Sequence, residues 1–229
     1  MTLRMVWIAL ALLASAQLFA GQDAEREGDR ARVLLFGDIS FQSHHRHAAT
    51  ALKAEADVVQ SPHGYLHSGA VLERYGEVFG DGAWDVVCLN CGLSDMMFRD
   101  PRSREIRAMS AQAGGVQVTP IEEHVANLEA LVLRLRGDGA RVVWTTTLPL
   151  HPHRRKGAAV VAEYIERFNA AAVERLRALS VTVVDTHSDL MDELAKAENP
   201  RQVDRMHNDL LKGDPSGPLV AQLRRVLAE

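Results

Sequence analysis

The segment Arg32–Phe36 (RVLLF) is a short apolar run that ends at Gly37. An apolar run of this length before a glycine is typical of a buried strand. Four later segments are predicted as further strands, at Asp57–Gln60, Trp84–Asn90, Arg141–Thr147 and Val181–Asp185, of which Asp57–Gln60 has the weaker signal. Because continuous runs rich in β-branched residues favour parallel sheets covered on both faces, the sequence predicts a five-stranded, mainly parallel sheet.

Amphipathic segments between these strands predict the helices that cover the sheet. The clearest helix has Thr119 as its expected N-cap and Pro120 in its first position, and it ends near Gly137. Three more helices are predicted at Ser68–Phe79, Ala158–Ala178 and Ser216–Leu227. The polar segment Phe98–Val118 is predicted as a long excursion after the third strand. Since strands that alternate with helices form βαβ units, the predicted architecture is a three-layer α/β/α sandwich.

Composition agrees with one globular domain and excludes some functions. The 229 residues are 47% hydrophobic and 24% charged, which is ordinary for a chain with a sizeable core. The formal charge of −4 argues against a nucleic-acid partner, because binding to phosphates requires basic patches. Two cysteines cannot form a disulfide scaffold, and we interpret Cys88 and Cys91 as small buried residues.

The first residues have the pattern of a secretory signal peptide. Arg4 precedes an apolar run that continues through small residues, and a polar segment follows at residues 21–31. We expect cleavage after Ala16 or Ala20, which leaves a domain at residues 32–229 in a secreted or periplasmic protein. The run of about 16 residues is shorter than the roughly 20 that span a bilayer, so no stable membrane span is expected after cleavage. Without cleavage, the same run would act as a membrane anchor.

Three motifs, in this order, resemble those of the SGNH or GDSL-type hydrolases: VLLFGDIS at residues 33–40, LNCGLSD at residues 89–95 and DRMH at residues 204–207. The first two lie at the ends of predicted strands, where open parallel sheets bind ligands, and the third lies near the C-terminus. The resemblance covers most of residues 32–229 and implies the flavodoxin-like SGNH hydrolase fold. It also implies ester hydrolysis, in which a serine attacks a carbonyl, a histidine accepts the serine proton and an aspartate orients the histidine.

The resemblance also implies roles for individual residues. His207 is the general base and Asp204 its partner, and their spacing allows both to lie on one helical turn. Asn90 would donate a hydrogen bond to the oxyanion, and Gly92 would allow close approach of the backbone. The remaining residues of the motifs are expected to support the site: Gly37, Asp38 and Asp95.

The nucleophile is the main departure from the family. Ile39 occupies the position of the family's serine, and Ser40 follows one residue later. A shift of one residue turns a side chain by about 100° on a helix, or to the opposite face of a strand, so catalysis by Ser40 needs a local change in the backbone. Ser40 is our candidate nucleophile, and Ser43 is a more distant one. The structural alternative is a serine that caps the following helix.

The second oxyanion donor also departs from the family pattern. In an ungapped alignment Leu66 falls near the place of the family's glycine, with Gly64 and Gly69 on either side. We favour Gly69 as the donor, and the alternative is that both glycines serve turn geometry or a helix start.

Two functions fit these observations. The first is an exported hydrolase that cleaves a small-molecule ester, with the acyl group on a carbohydrate or a lipid. The second is a catalytically inactive SGNH-like protein that keeps the cleft for binding. We expect no metal, because the histidines lack the spacing of known zinc motifs, and no cofactor, because a Gly-rich phosphate loop is missing. The oligomeric state is open.

Overall fold

A five-stranded parallel sheet forms the centre of the computed structural model, which describes residues 30–38, 41–80, 83–103, 107–150, 162–211 and 217–229. The strands of the described residues are β1 (Ala31–Phe36), β2 (Ala56–Gln60), β3 (Val86–Leu89), β4 (Phe98–Arg99), β5 (Val116–Gln117), β6 (Arg141–Thr145) and β7 (Thr182–Val184). The sheet has the order β2-β1-β3-β6-β7, with every neighbouring pair parallel. The predicted sheet is confirmed, and its strand ends differ from prediction by at most two residues.

Helices cover both faces of this sheet. In the described residues they are α1 (Gln42–Leu52), α2 (Ser68–Glu73), α3 (Tyr75–Phe79), α4 (Leu93–Met96), α5 (Ile121–Gly137), α6 (Ala162–Ala178), α7 (Thr186–Leu194), α8 (Pro200–Leu211) and α9 (Pro218–Leu227). The predicted helix Ser68–Phe79 is divided at Arg74 into α2 and α3. The three-layer α/β/α architecture is confirmed.

The start of α5 corrects one detail of the prediction. Pro120 is the N-cap, and α5 begins at Ile121, so Thr119 is not the cap. The backbone oxygen of Pro120 accepts from the N–H of His124 at 2.8 Å, which closes the first turn. Thr119 is instead buried, and its backbone N–H donates to the oxygen of Asp95 at 3.1 Å. This long-range bond ties Thr119 to the segment after β3.

Burial on both faces explains why the strands are apolar throughout. Along β1, Leu34 packs with α2, α3, α5 and α6 on one face, while Leu35 packs with α1 and α9 on the other. Trp144 of β6 is 1% exposed and belongs to the first of these cores. Cys88 and Cys91 are buried free thiols. With both faces filled, the open edge at the carboxyl ends of the strands is left for a ligand.

The excursion after β3 forms the most irregular part of the described chain. After α4, the short strands β4 and β5 pair in antiparallel orientation, Phe98 with Gln117 and Arg99 with Val116. The predicted signal peptide at residues 1–20, together with Ile39 and Ser40, lies outside the described residues. Among the residues described, none of the helices combines the length and apolar character required to cross a bilayer.

Candidate active site

The side chain of Asn90 joins three strands at the carboxyl edge of the sheet. Asn90 follows β3 directly and is fully buried. Its Nδ2 donates to the backbone oxygen of Thr145 in β6 at 2.9 Å, and its Oδ1 accepts from the backbone N–H of Asp38 after β1 at 3.2 Å. One of the two Nδ2 hydrogens is therefore already used within the protein, which leaves one for the oxyanion role expected from sequence.

Asp38 connects the end of β1 to the start of α4. Its Oδ2 accepts from the backbone N–H of Leu93 at 2.8 Å, and the residue is 3% exposed. Burial raises the pKa of Asp38 to about 8, and the negative charge of Asp95 acts in the same direction, although the backbone N–H groups of Leu93 and Gly92 oppose it. Asp38 therefore supports the site at neutral pH mainly as an uncharged hydrogen-bonding group.

Gly37 is required by the close approach of α1. A Cβ atom at this position would lie 2.7 Å from Cε1 of His45 and 3.2 Å from Cβ of Asn90. His45 is 1% exposed, and burial, with a contribution from His44, lowers its pKa to about 3. A neutral His45 ring thus packs against the turn that leads from β1 towards Ile39 and Ser40.

Gly92 lies against the segment that follows β6. A Cβ atom on Gly92 would meet Oγ1 of Thr147 at 2.5 Å. Asn169 of α6 holds that segment in place through two bonds to the Thr147 backbone: its Oδ1 accepts from the N–H at 2.8 Å, and its Nδ2 donates to the oxygen at 2.9 Å. The exits of β3 and β6 are therefore packed too closely for a larger residue at position 92.

Helix α8 brings His207 to the end of β6. His207 is 1% exposed, and its Nε2 lies 3.2 Å from the backbone oxygen of Pro149. Asp204 lies one turn earlier on the same helix and is partly exposed. The structure therefore positions Asp204 and His207 on one regular helix, with the imidazole directed to the carboxyl edge of the sheet.

A buried polar cluster surrounds Asp95, and the sequence alone does not predict it. Oγ of Ser68 donates to Oδ1 of Asp95 at 2.5 Å, and the Ser68 backbone N–H contacts both carboxylate oxygens at 3.1 and 3.0 Å. Nδ1 of His124 lies 3.4 Å from the same carboxylate, and Asn127 donates to Oγ of Ser68 at 3.0 Å. Ser68, Asp95 and His124 are at most 1% exposed. The cluster ties α4 to α2 and α5.

The cluster also determines the charge of Asp95. Burial opposes ionisation, but contacts from His124 and Ser68 outweigh it and hold the pKa of the Asp95 carboxyl below its usual value. Asp95 is thus anionic and Asp38 mainly protonated, so the two neighbouring carboxyl groups carry about one charge at neutral pH. One signal was available in the sequence, because His124 falls on the same helical stripe as Ile121 and Leu128.

The remaining candidate residues lie in different parts of the structure, and one of them is outside the described residues. Gly69 lies in the first turn of α2, where a Cβ atom would be 3.3 Å from the ring of His67. Leu66 is half-buried against the core, and its backbone oxygen lies 4.0 Å from the Cys91 sulfur. Ser43 is part of α1, whereas Ser40 lies outside the described residues. The described site therefore consists of the β1, β3 and β6 exits and the imidazole of His207.

The parallel α/β/α sandwich, with these motifs at its carboxyl edge, has the architecture that the resemblance to the SGNH hydrolases implies. Residues 36–210 match the profile of the GDSL-like lipase/acylhydrolase family. Because the match spans well over half of the 229 residues, this chain belongs to that family.

Solved structures share the fold at low sequence identity. A GDSL-like lipase from Bacteroides thetaiotaomicron is 17% identical, with 69% of this chain and 70% of that chain covered and a TM-score of 0.51. A lipase/acylhydrolase from Enterococcus faecalis is 16% identical, with coverage of 70% and 78% and a TM-score of 0.53. A catalytic mutant of an acetylxylan esterase from Geobacillus stearothermophilus is 13% identical, with coverage of 81% and 95% and a TM-score of 0.55. A comparison with curated proteins finds no significant match.

The contact between Gly92 and Thr147 predicts a stability effect with a specific rescue. Gly92 has an extended φ of 174°, so a side chain there is opposed by steric contact, mainly with Oγ1 of Thr147 and to a lesser degree with Cε of Met96 at 3.1 Å. We expect Gly92→Ala to lower the free energy of unfolding by about 1–3 kcal/mol in urea denaturation. Adding Thr147→Ala should restore more than half of the loss, because Oγ1 of Thr147 has no hydrogen-bond partner in the described structure. Gly76→Ala, with no atom within 4 Å of its Cβ, is the matched control and should not destabilise the protein. A double variant no more stable than Gly92→Ala would contradict the packing argument.

The raised pKa of Asp38 predicts a pH-dependent stability. The folded state holds the proton up to about pH 8 and the unfolded chain only to about pH 3.8, so the stabilising effect of protonated Asp38 is lost as pH rises between these values. Asp38→Asn is uncharged at every pH. Its unfolding free energy relative to the parent should rise by at least about 1 kcal/mol from pH 4.5 to pH 8. A difference that stays constant across this range would show that Asp38 is ionised in the folded protein.

Proposed function

We propose that this chain is an exported ester hydrolase that removes an acyl group from a carbohydrate or a lipid by serine chemistry. Membership of the acylhydrolase family supports the ester, and the similarity to an acetylxylan esterase favours a carbohydrate as the acyl carrier. The observation that carries the proposal is the position of His207, a buried histidine of the DRMH motif that α8 brings to the segment after β6.

In the proposed mechanism, Oγ of Ser40 attacks the ester carbonyl carbon while His207 accepts the serine proton. Asp204 stabilises the charged imidazole. The bond to the alcohol then breaks, and His207 returns the proton to the leaving oxygen. Water repeats these steps on the acyl-serine and releases the acid. The residual Nδ2 hydrogen of Asn90 and the backbone N–H of Gly69 are the proposed oxyanion donors.

A specific observation favours a second candidate, an inactive member that retains the cleft for binding. Ile39 replaces the family's serine, and Leu66 falls near the position of its glycine. In addition, Asn90 is fully buried, and its amide is bonded to the backbones that follow β1 and form β6. These features weaken oxyanion stabilisation without disturbing the fold.

An aryl-ester assay separates the two candidates. With p-nitrophenyl acetate, we expect the purified protein to be active, and Ser40→Ala and His207→Ala each to lower kcat by at least about 10³-fold, because both act on the same proton transfer. Ser43→Ala, a serine three residues further along the chain, is the matched comparison and should retain the parent's rate.

Three other results of this assay would change the assignment. A large loss in Ser43→Ala alone would transfer the nucleophile to that residue. An inert parent that gains activity in Ile39→Ser would establish the inactive binding protein instead. Full activity of His207→Ala would exclude the histidine-dependent mechanism.

Export is tested separately from catalysis. The segment Ala14-Ser15-Ala16 has the small residues that signal peptidases require, so we expect the mature protein to begin at Gln17, or at Gly21 after the alternative cleavage. Intact-mass spectrometry of protein from the periplasm of a bacterial host measures this directly. Ala16→Arg should block the first cleavage. An intact Met1 in protein recovered from the cytoplasm would contradict export.

A further inference from the structure

A cavity of about 740 Å³ lies beside the candidate site, between α1, α7 and the start of α9. Leu148 lines it, and the neighbouring residue Pro149 provides the backbone oxygen that contacts His207. His44 of α1 also lines the cavity. The volume is in the range of small-molecule sites, and the location suits a part of the substrate that extends away from the ester.

The floor of this cavity is apolar and well packed. Leu148, Leu190, Leu219 and Val220 line it, and each is at most 6% exposed. Leu148 and Leu190 pack around the fully buried ring of Phe41. A surface of this kind binds an aliphatic group, because contact with it removes apolar area from water.

The rim of the cavity is negatively charged. Asp189, Asp192 and Glu193 line it along α7, and Lys196 is the cation among the described lining residues. Lys196 already forms an ion pair with Glu193. Asp189 and Asp192 are therefore left without a cation among the described lining residues.

The pKa shifts of Asp189 and His44 are consistent with a negatively charged rim. Burial raises the pKa of Asp189, and the negative charges of Asp185 and Asp192 add to the effect. His44 adds no positive charge at neutral pH, because burial, with a contribution from His47, lowers its pKa to about 4. A cation at the rim would relieve the repulsion between the carboxylates, whereas an anion would increase it.

We propose that this cavity binds a small organic cation with an aliphatic body, and that the ester substrate carries such a group. The aliphatic part would contact Leu148, Leu190 and Val220, and the ammonium group would lie between Asp189 and Asp192. The statement about the substrate rests on the proposed ester hydrolysis, but the binding of the cation does not.

Isothermal titration calorimetry on the full domain tests the binding with three probes of equal chain length. Hexylammonium should bind saturably, hexanol more weakly, and hexanoate not at all. Raising the sodium chloride concentration from about 0.02 M to 0.5 M should weaken hexylammonium binding and leave hexanol unchanged, because salt screens only the charge interaction.

Substitutions identify the carboxylates. Asp189→Asn and Asp192→Asn should each raise the Kd for hexylammonium about threefold, and the double variant about tenfold, with no change for hexanol. Glu73→Gln removes the same charge from α2, which packs on the other face of the sheet, and should leave the Kd unchanged. All three substituted residues are exposed, and circular dichroism verifies the fold of each variant.

Equal binding of hexanoate and hexylammonium, or absence of binding by both, would overturn the inference, as would an unchanged Kd in the double variant. The outcome is independent of catalysis. Cation binding without hydrolysis of p-nitrophenyl acetate would refute the ester hydrolase and retain the cation site. Hydrolysis without cation binding would refute the cation site and retain the ester hydrolase.

Discussion

The carboxyl edge of the sheet, where the candidate active site lies, depends on the buried side-chain amide of Asn90. A parallel sheet leaves the backbone groups after each strand without a strand partner, and at this edge they are also shielded from water. Asn90 satisfies one group after β1 and one in β6 from its position after β3. The three exits are thereby held at a constant spacing. The same bonds occupy Oδ1 and one Nδ2 hydrogen of the amide.

Two buried carboxyl groups follow from this arrangement, and the protein stabilises them by different means. Asp95 receives hydrogen bonds from Ser68 and lies beside His124, so it can remain ionised in the interior. Asp38 accepts a hydrogen bond from the backbone N–H of Leu93 but has no cationic partner in the described structure. It therefore keeps its proton. A pair of adjacent buried anions is avoided. In the chain, the neutral Asp38 directly precedes Ile39 and Ser40.

The sequence predicts a feature correctly where residues close together in the chain decide it. It fails where contacts between distant segments decide it. The strand Arg32–Phe36 is predicted to within one residue, because its apolar run and the following Gly37 are local signals. The cap of α5 is Pro120 and not Thr119, whose backbone N–H is bonded to Asp95 in a distant segment, a contact that the sequence does not indicate. The cluster of Ser68, Asp95 and His124 is missed for the same reason. These residues lie far apart in the chain, and each has an ordinary structural reading alone.

The amino-acid sequence by itself determines the three-layer architecture and the family, because apolar periodicity and the order of the GDIS, LNCGLSD and DRMH motifs are properties of the linear chain. Only the tertiary structure decides which of these motif residues are free to act. Asn90 is held by the ends of two other strands, Asp38 is neutral and Asp95 is anionic. A cavity with an acidic rim is lined by Leu148, next to the residue that contacts His207. Each of these properties is a matter of burial and of partners from other elements. Hydrogen bonding and pKa depend on neighbours in space, which no local pattern of residues contains.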